Sequence, residues 1–392
     1  MGLGITPSKL TRETRRLKQQ VARLLRGQRD PKVNRRHQAF RPKPDYAAIQ
    51  DCYAQSELAS MPETFALWRI IGNDLVPRHR KGQSRDNLAF MLDHEPELRD
   101  CQKHWLLNRI HDADVEAAII KLLQSHNQPF HRIPFDIDEY AKQPWDMDGI
   151  PIALRSRHCD AFGPDSRSRL EQHIRRRKNI YAINNNGARN TTILLGRNLA
   201  KWVLPWDGNC FVTESAWESI VAAVNRQAYL PYFIVPMARV ENNSRLLNTD
   251  FNPPANEEPQ VILRRDAKEM FDERLPYGRW PKVELLWRLG VTGIWDRYSV
   301  EPFDIPRPTL ALEAYQYAKA GWVARLESGA PYENGPRAAK DRNRAREEAV
   351  INFLDGLDQS VLQQGKGHGI EVCARTEAST RKAQPALPGF RY

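Results

Sequence analysis

Asp207-Gly208-Asn209 sets two oxygen-bearing side chains one residue apart, just after the apolar run Trp202-Val203-Leu204. Carboxylate and amide oxygens at that spacing can hold a divalent metal, which takes oxygen ligands. Upstream, Asn184-Asn185-Asn186-Gly187 reads as a polar turn in which glycine supplies positive φ. Ala188 to Leu199 then carries Ile193, Leu194 and Leu199 at helical spacing. A helix N-terminus presents backbone N–H groups, and Arg189 in the first turn adds a cation, so this end suits a phosphate group. A metal at Asp207 and Asn209 would sit on that phosphate. The same residues also read as an ordinary helix–turn–strand in which Asp207 caps a turn.

Such residues need a scaffold that brings strand ends together. Phe65 to Ile71 is a near-continuous apolar run, as for a strand covered on both faces, and it ends in Gly72-Asn73-Asp74. Ser84 can cap a helix holding Leu88, Ala89, Met91 and Leu92. His104 to Leu107 forms a second strand ending at Asn108-Arg109, and Asp112 or Asp114 can cap the helix with Val115, Ala118, Ile119, Leu122 and Leu123. Phe130 to Ile133 is a third strand. Alternating strands and helices mean right-handed crossovers and an α/β fold with a mostly parallel sheet. Such sheets bind ligands at the carboxyl ends of their strands, which puts Arg69 to Asp74 and Asn108-Arg109 on one rim. After Asp207, Thr213 can cap a helix over Glu214 to Asn225, and Tyr232–Val235 and Gln260–Leu263 are strands. Pro236 marks an edge or a bulge.

The central stretch resembles the donor-binding centre of GT-A fold glycosyltransferases, especially the family-2 type. Gly187-Ala188-Arg189-Asn190, Gly196, Trp202 to Trp206 and Asp207-Gly208-Asn209 stand in the family's order, with Asn209 where a second Asp is usual. The resemblance implies a GT-A-like (Rossmann-like) sheet flanked by helices and a nucleotide-diphosphate sugar donor. It also implies Mn²⁺ or Mg²⁺ at Asp207 and Asn209. Base and ribose would lie at Arg69, Asn73, Asp74, Asn108 and Arg109, with the diphosphate near Gly187, Arg189, Asn190 and Asp207. A second match follows in Phe271-Asp272-Glu273, Tyr277-Gly278 and the helix with Leu285, Arg288 and Leu289. The family's acidic pair, which carries the usual catalytic base, aligns with Pro281-Lys282. Inverting transfer needs a carboxylate to take the acceptor's proton, so Glu284, Asp272 and Glu273 are the candidates, Glu284 first. Glu284 also reads as an exposed helix residue.

The remainder of the chain bounds these readings. The 392 residues carry a net charge of +11, 41% hydrophobic residues and ten Trp, which describes a folded protein with anionic partners. Five scattered cysteines without a C-x-x-C pair exclude a disulfide framework and fit a reducing cytosol. No apolar run approaches the ~20 residues of a membrane span. Residues 1–60 read as a basic amphipathic N-terminal arm, in which Lys9, Arg12, Arg15 and Arg16 alternate with Leu10 and Leu17. That arm suits an anionic membrane surface, an RNA, or packing on its own domain. Residues 61–305 form the GT-A-like domain, 306–364 a C-terminal helical extension with helices over Thr309–Gly321 and Arg337–Leu357, and 365–392 a flexible tail. The basic run Arg167 to Lys178 reads as a helix that steers an anion or as a solvated face. The expectation is a cytoplasmic glycosyltransferase, peripheral on the membrane through its arm, moving sugar to a glycan or lipid-linked acceptor in polysaccharide or glycoconjugate assembly. The alternative is a non-catalytic glycosyltransferase-like protein that binds a nucleotide or glycan. Nucleic acid has no recognition module to support it.

Overall fold

The structure, a computed structural model, describes residues 43–150, 164–248, 251–293, 295, 303–327 and 338–365. The basic helix expected within the first 42 residues and most of the expected tail lie outside the described residues.

Two short helices, α1 (Tyr46–Ala54) and α2 (Glu57–Ser60), lead into β1 (Phe65–Ile71). The chain then alternates: α3 (Gln83–His94), β2 (Cys101–Asn108), α4 (Ala113–Ser125), β3 (Phe130–Ile133). Asp112 starts α4 as expected, accepting hydrogen bonds from the Asp114 and Val115 N–H groups at 3.1 Å. Ser84 does not cap α3. Gly82 is the N-cap residue, and Asp74 accepts from the Ser84 N–H at 3.0 Å and from its hydroxyl at 2.7 Å. A carboxylate from the preceding loop therefore does the capping.

Beyond β3 come α5 (Ile137–Ala141), α6 (Pro164–Ile174) and α7 (Arg176–Ile183), and α8 (Asn185–Gly196) follows. Then come β4 (Trp202–Asp207), β5 (Cys210–Phe211), α9 (Glu214–Arg226), β6 (Tyr232–Arg239) and β7 (Glu257–Arg264). The final elements are α10 (Val283–Arg288), β8 (Tyr317–Lys319), β9 (Val323–Arg325) and α11 (Ala338–Gln363). The strands form one sheet in the order β3-β2-β1-β4-β7-β6-β9-β5, with β8 also on β6. β3, β2, β1 and β4 run parallel, whereas β7 is antiparallel to both of its neighbours. The architecture is α/β with a mostly parallel sheet, as expected, and the order reverses direction of growth at β1, where β4 joins the opposite side from β2. Crevices at such a reversal are where these sheets bind ligands.

The sheet is covered on both faces. On one, Phe65, Leu67, Trp202, Leu204 and Trp206 pack against Trp217, Ile220, Val221 and Val224 of α9. Each such buried side chain contributes about 1.5–3 kcal/mol. On the other, Ala66, Trp68 and Val203 meet Ala188 of α8. A Cβ on Gly196 would stand 2.6 Å from the Val203 side chain, so glycine lets α8 lie close on the sheet. Pro236, lacking an N–H, sits at the register shift in β6 between Val235 and Met237, the bulge of the two expected options.

Two expectations are corrected. Thr309–Gly321 is not a helix: it turns and then supplies β8, which pairs with Tyr232–Ile234. The open side of β6 offers backbone groups that local helical propensity cannot outweigh. The basic run ending at Lys178 is ion-paired over its last residues, of which only Arg177 stays exposed. Arg175 bonds Asp355 at 2.9 Å, Arg176 bonds Asp146, and Arg177 bonds Asp148 at 3.1 Å. Lys178 is buried, pairs with Asp358 of α11 and lies 4.7 Å from the Trp145 ring centre. The pairs to Asp355 and Asp358, with Ala349, Val350, Leu354 and Leu357 packed with Tyr140 and Ala182, fix α11 against α5 and α7.

Candidate active site

β1 and β4 are adjacent and parallel, with Ile70 in register with Asp207, so their carboxyl ends open on the same edge. A cavity of about 1010 Å³ lies there. Gly72 and Asn73 beyond β1, Asn108 of β2, Asp207 to Asn209, and Asn185 and Arg189 of α8 line it. Residues Tyr277 to Val283, Arg325 of β9 and one side of α11 complete the wall. Among the described residues, seven Arg or Lys and four carboxylates line this space, so an anion is the ligand its charge favours.

Asp207 is the centre of the wall. One oxygen accepts from Arg189 at 2.7 Å, the other from Gln260 at 2.8 Å and from Lys282 Nζ at 3.2 Å. Burial raises its pKa, but Lys282 and then Arg189 outweigh it and hold the carboxyl far below the usual carboxylate range. Asp207 is therefore an anion at any physiological pH. Lys282 also reaches Glu258 at 3.4 Å, and its side chain is 4% exposed. Its loop is tied to α8, because Asn186 Nδ2 donates to the carbonyls of Asp272 and Pro281, both at 2.7 Å. The turn after Asp207 requires glycine, since a Cβ on Gly208 would fall 2.3 Å from the Ile70 carbonyl oxygen. Asn209 accepts through its carbonyl from Leu326 N–H at 2.9 Å, fixing β9 and Arg325 beside the turn.

The residues singled out in the sequence divide into three groups. Asn73, Asn108, Arg189, Asp207 and Asn209 line the cavity together. Asn73 donates to the Arg109 carbonyl at 2.8 Å, and Asn108 donates to the Ile183 carbonyl at 2.8 Å, so both are rigid parts of the rim. Asp74, Arg109, Gly187 and Asn190 support the wall from behind. Asp74 caps α3. Arg109 stacks on Tyr181 with its guanidinium 4.0 Å from the ring centre. Gly187 lies inside α8, which begins at Asn185 rather than Ala188, with Asn184 in the left-handed region before it. Asn190 donates to the Phe271 carbonyl at 2.9 Å and to Glu273 at 2.7 Å, bracketing the Phe271 segment.

Arg69 and Glu284 form the third group, away from the cavity. Arg69 is fully buried on the face shared with Phe65 and Leu67, pairs with Glu95 and donates to the Cys210 carbonyl at 2.8 Å. It is a structural ion pair beneath the rim and not a donor contact. Glu284 is buried in α10 and pairs with Arg288; burial raises its pKa, with Arg288 opposing. With Asp272 it lines a second cavity of about 560 Å³. Asp272 is bonded by Arg274, which outweighs burial and lowers its pKa. The sequence reading missed Lys282 as a cavity cation, and also missed Glu258, Arg325 and Arg344. Arg344, on the expected C-terminal helix, makes no hydrogen bond or ion pair to the described residues and faces the cavity.

A divalent metal does not fit the donor set as it stands. Both oxygens of Asp207 already accept from cationic or amide donors, and its neighbour Asn209 brings no charge. Among the described residues no three of His, Cys, Asp or Glu come together as a metal group. Likewise, no described helix is long and apolar enough to cross a membrane.

No protein-family model matches the chain, and no curated protein matches it in sequence. Among solved structures it is similar to S. aureus TarS 1–349 in complex with UDP, at 10% identity over 82% of this chain and 75% of that one, TM-score 0.32. A second TarS 1–349 structure aligns at 9% identity over 54% of this chain and 50% of that one, TM-score 0.27. The 4-diphosphocytidyl-2C-methyl-D-erythritol synthase of Anaerococcus prevotii aligns at 10% identity over 66% and 88%, TM-score 0.25. The fold is defined by its own strand order and directions, an α/β sheet whose parallel β3-β2-β1-β4 half is joined to β6 through the antiparallel β7.

Proposed function

We propose that the chain is a transferase of the glycosyltransferase class that takes a nucleotide-diphosphate sugar into the cavity above Asp207. One observation carries the reading: Arg189 and Lys282 converge on Asp207 at a strand end, inside a cavity whose cations outnumber its carboxylates. Asn73 and Asn108 offer amide edges at the β1 and β2 ends for base and ribose. Arg189 and Lys282 face the diphosphate, where they stabilise the charge that grows on the leaving nucleotide as the glycosidic bond breaks. Asp207 holds both cations in place, which spares reorganisation during the reaction. The sugar then projects toward α11, whose Arg344 and Asn352 line the far wall.

Transfer to a hydroxyl needs a base within reach of that hydroxyl. Glu258 is our candidate. It opens into the cavity with a side chain 40% exposed, beside Lys282. Glu284 would need to leave Arg288 and its own cavity to serve. The acceptor is a hydroxyl-bearing glycan or glycolipid, in line with a role in polysaccharide or glycoconjugate assembly. Peripheral attachment of the enzyme to anionic membrane through its basic arm belongs to the same proposal.

A second reading has its own support: Lys282 stands where the family's acidic pair aligns, and Glu284 is engaged with Arg288. On that reading the chain binds a nucleotide sugar without transferring it. Titration with UDP, CDP and GDP, followed by assay of nucleoside diphosphate released from the matching sugars, separates the two. Binding with release supports the transferase, and binding without release supports the non-catalytic protein. No binding of any nucleotide refutes both.

A further inference from the structure

We infer that Lys282 takes the place of a divalent cation, so that this site holds the diphosphate of its donor without a metal. The inference rests on the nucleotide-sugar reading above and adds to it how the charge is met. Lys282 Nζ stands 3.2 Å from Asp207 and 3.4 Å from Glu258, where an ion bridging a strand-end carboxylate and a ligand phosphate would lie. An ammonium has three donors. One is donated to Asp207, Glu258 lies at ion-pair distance, and Lys282 lines the cavity where a phosphate oxygen can meet it.

Charge balance leads to the same place. Asp207 and Glu258 face Lys282 and Arg189, so these four side chains already balance one another. A divalent ion added there would leave two positive charges uncompensated, only a few ångströms from the Lys282 ammonium. At so short a separation the repulsion between like charges is only partly screened. Asn209, two residues on from Asp207, is neutral and adds no further carboxylate to offset it. A diphosphate instead brings negative charge to a cavity whose described lining holds seven Arg or Lys residues against four carboxylates.

Lys282 is also held in a way a chance surface lysine is not. It is the N-cap residue of α10, its side chain is almost fully buried, and Asn186 of α8 grips the Pro281 carbonyl just before it at 2.7 Å. The same helix supplies Arg189 to the other oxygen of Asp207. The two cations are thus fixed relative to one another through one helix, as two ligands of a bound metal would be.

The test is calorimetric titration of the full chain with UDP, CDP, GDP and inorganic pyrophosphate, once in excess EDTA and once with millimolar Mn²⁺ or Mg²⁺. The expected result is binding in EDTA, changed by no more than about twofold when metal is added. Lys282→Met should weaken binding about tenfold to a hundredfold, the range of one charge-assisted hydrogen bond, and metal should not restore it. Lys282→Arg, which keeps the charge, should retain most of the affinity; circular dichroism checks that both variants fold. Binding that appears only with metal, or tightens tenfold with it, overturns this inference and leaves the nucleotide reading intact. Unchanged affinity in Lys282→Met also overturns it. Absence of binding for all four probes in both buffers removes the nucleotide reading itself, and this inference with it.

Discussion

Lys282 Nζ lies 3.2 Å from Asp207 Oδ2 across 75 residues of chain, and the contact joins the two halves of the site. Asp207 ends β4, the strand beside β1, whereas Lys282 opens α10 on the far side of the cavity. The cavity has a fixed positive wall because these two residues and Arg189 meet.

That wall depends on a backbone approach that only glycine permits. A Cβ on Gly208 would sit 2.3 Å from the Ile70 carbonyl oxygen. Gly208→Ala should cost about 1–3 kcal/mol of stability by overpacking. It should also displace Asp207 and weaken nucleotide binding by tenfold or more. Urea unfolding and UDP titration on the same preparation check both effects.

The two candidate bases make opposite predictions. Glu258→Gln should leave nucleotide affinity within a few fold and reduce kcat by at least about a hundredfold, the usual scale for general-base loss. Glu284→Gln should leave kcat nearly unchanged and lower the melting temperature, because Arg288 loses a charged partner inside the fold. A steady-state comparison of the two variants decides between them; loss of kcat in Glu284→Gln alone would reverse the assignment.

Arg69 should behave as a stability residue. Arg69→Met leaves Glu95 buried with Lys103, at 3.3 Å, as its remaining cation. Breaking a buried pair in this way costs about 3–5 kcal/mol, and the lysine brings the expectation to the lower end. Denaturant unfolding should show the loss, whereas the Kd for nucleotide should hold. A raised Kd with unchanged stability would return Arg69 to the donor site.

Acid should destabilise the protein through His79. Its side chain accepts from the Leu75 N–H at 3.2 Å, and burial, then Arg78, Arg325 and Arg346, push its pKa from 6.5 down to about 3. The folded state refuses a proton that the unfolded chain accepts, so this contribution is complete above pH 6.5 and declines as pH falls toward 3. Melting temperature should drop from about pH 7 to about pH 5. His79→Asn, which keeps an acceptor but cannot titrate, should flatten the slope; His104 and His111, also lowered by burial, leave a residual one. Equal slopes in both proteins would show that His79 is not the source.

Much of this arrangement is legible in the sequence. The apolar runs at Phe65 and Trp202, the caps at Asp112 and Thr213, and the polar ends after β1 and β4 locate the rim before any coordinates do. The errors have physical causes. Arg69 was read by its nearness to the strand end, although the two-residue period of a strand puts it on the buried face with Phe65 and Leu67. Asp74 was read as a ligand because its bond to Ser84 crosses ten residues. The pair Lys178–Asp358 spans 180 residues, so only tertiary packing turns that basic run into a neutralised interface. Residues 309–321 carry helical spacing, and their pairing with β6 depends on a strand edge that local sequence does not encode. Lys282 was visible as a departure from the family pattern, but its meaning required the distance to Asp207.

The most direct measurement is a crystal structure of the full chain with the nucleoside diphosphate that binds best. The account predicts phosphate oxygens within hydrogen-bond distance of Lys282 Nζ and Arg189, with the base between Asn73 and Asn108. A nucleotide bound elsewhere, for example in the cavity beside Glu284 and Asp272, with the space above Asp207 taken only by water, would contradict it.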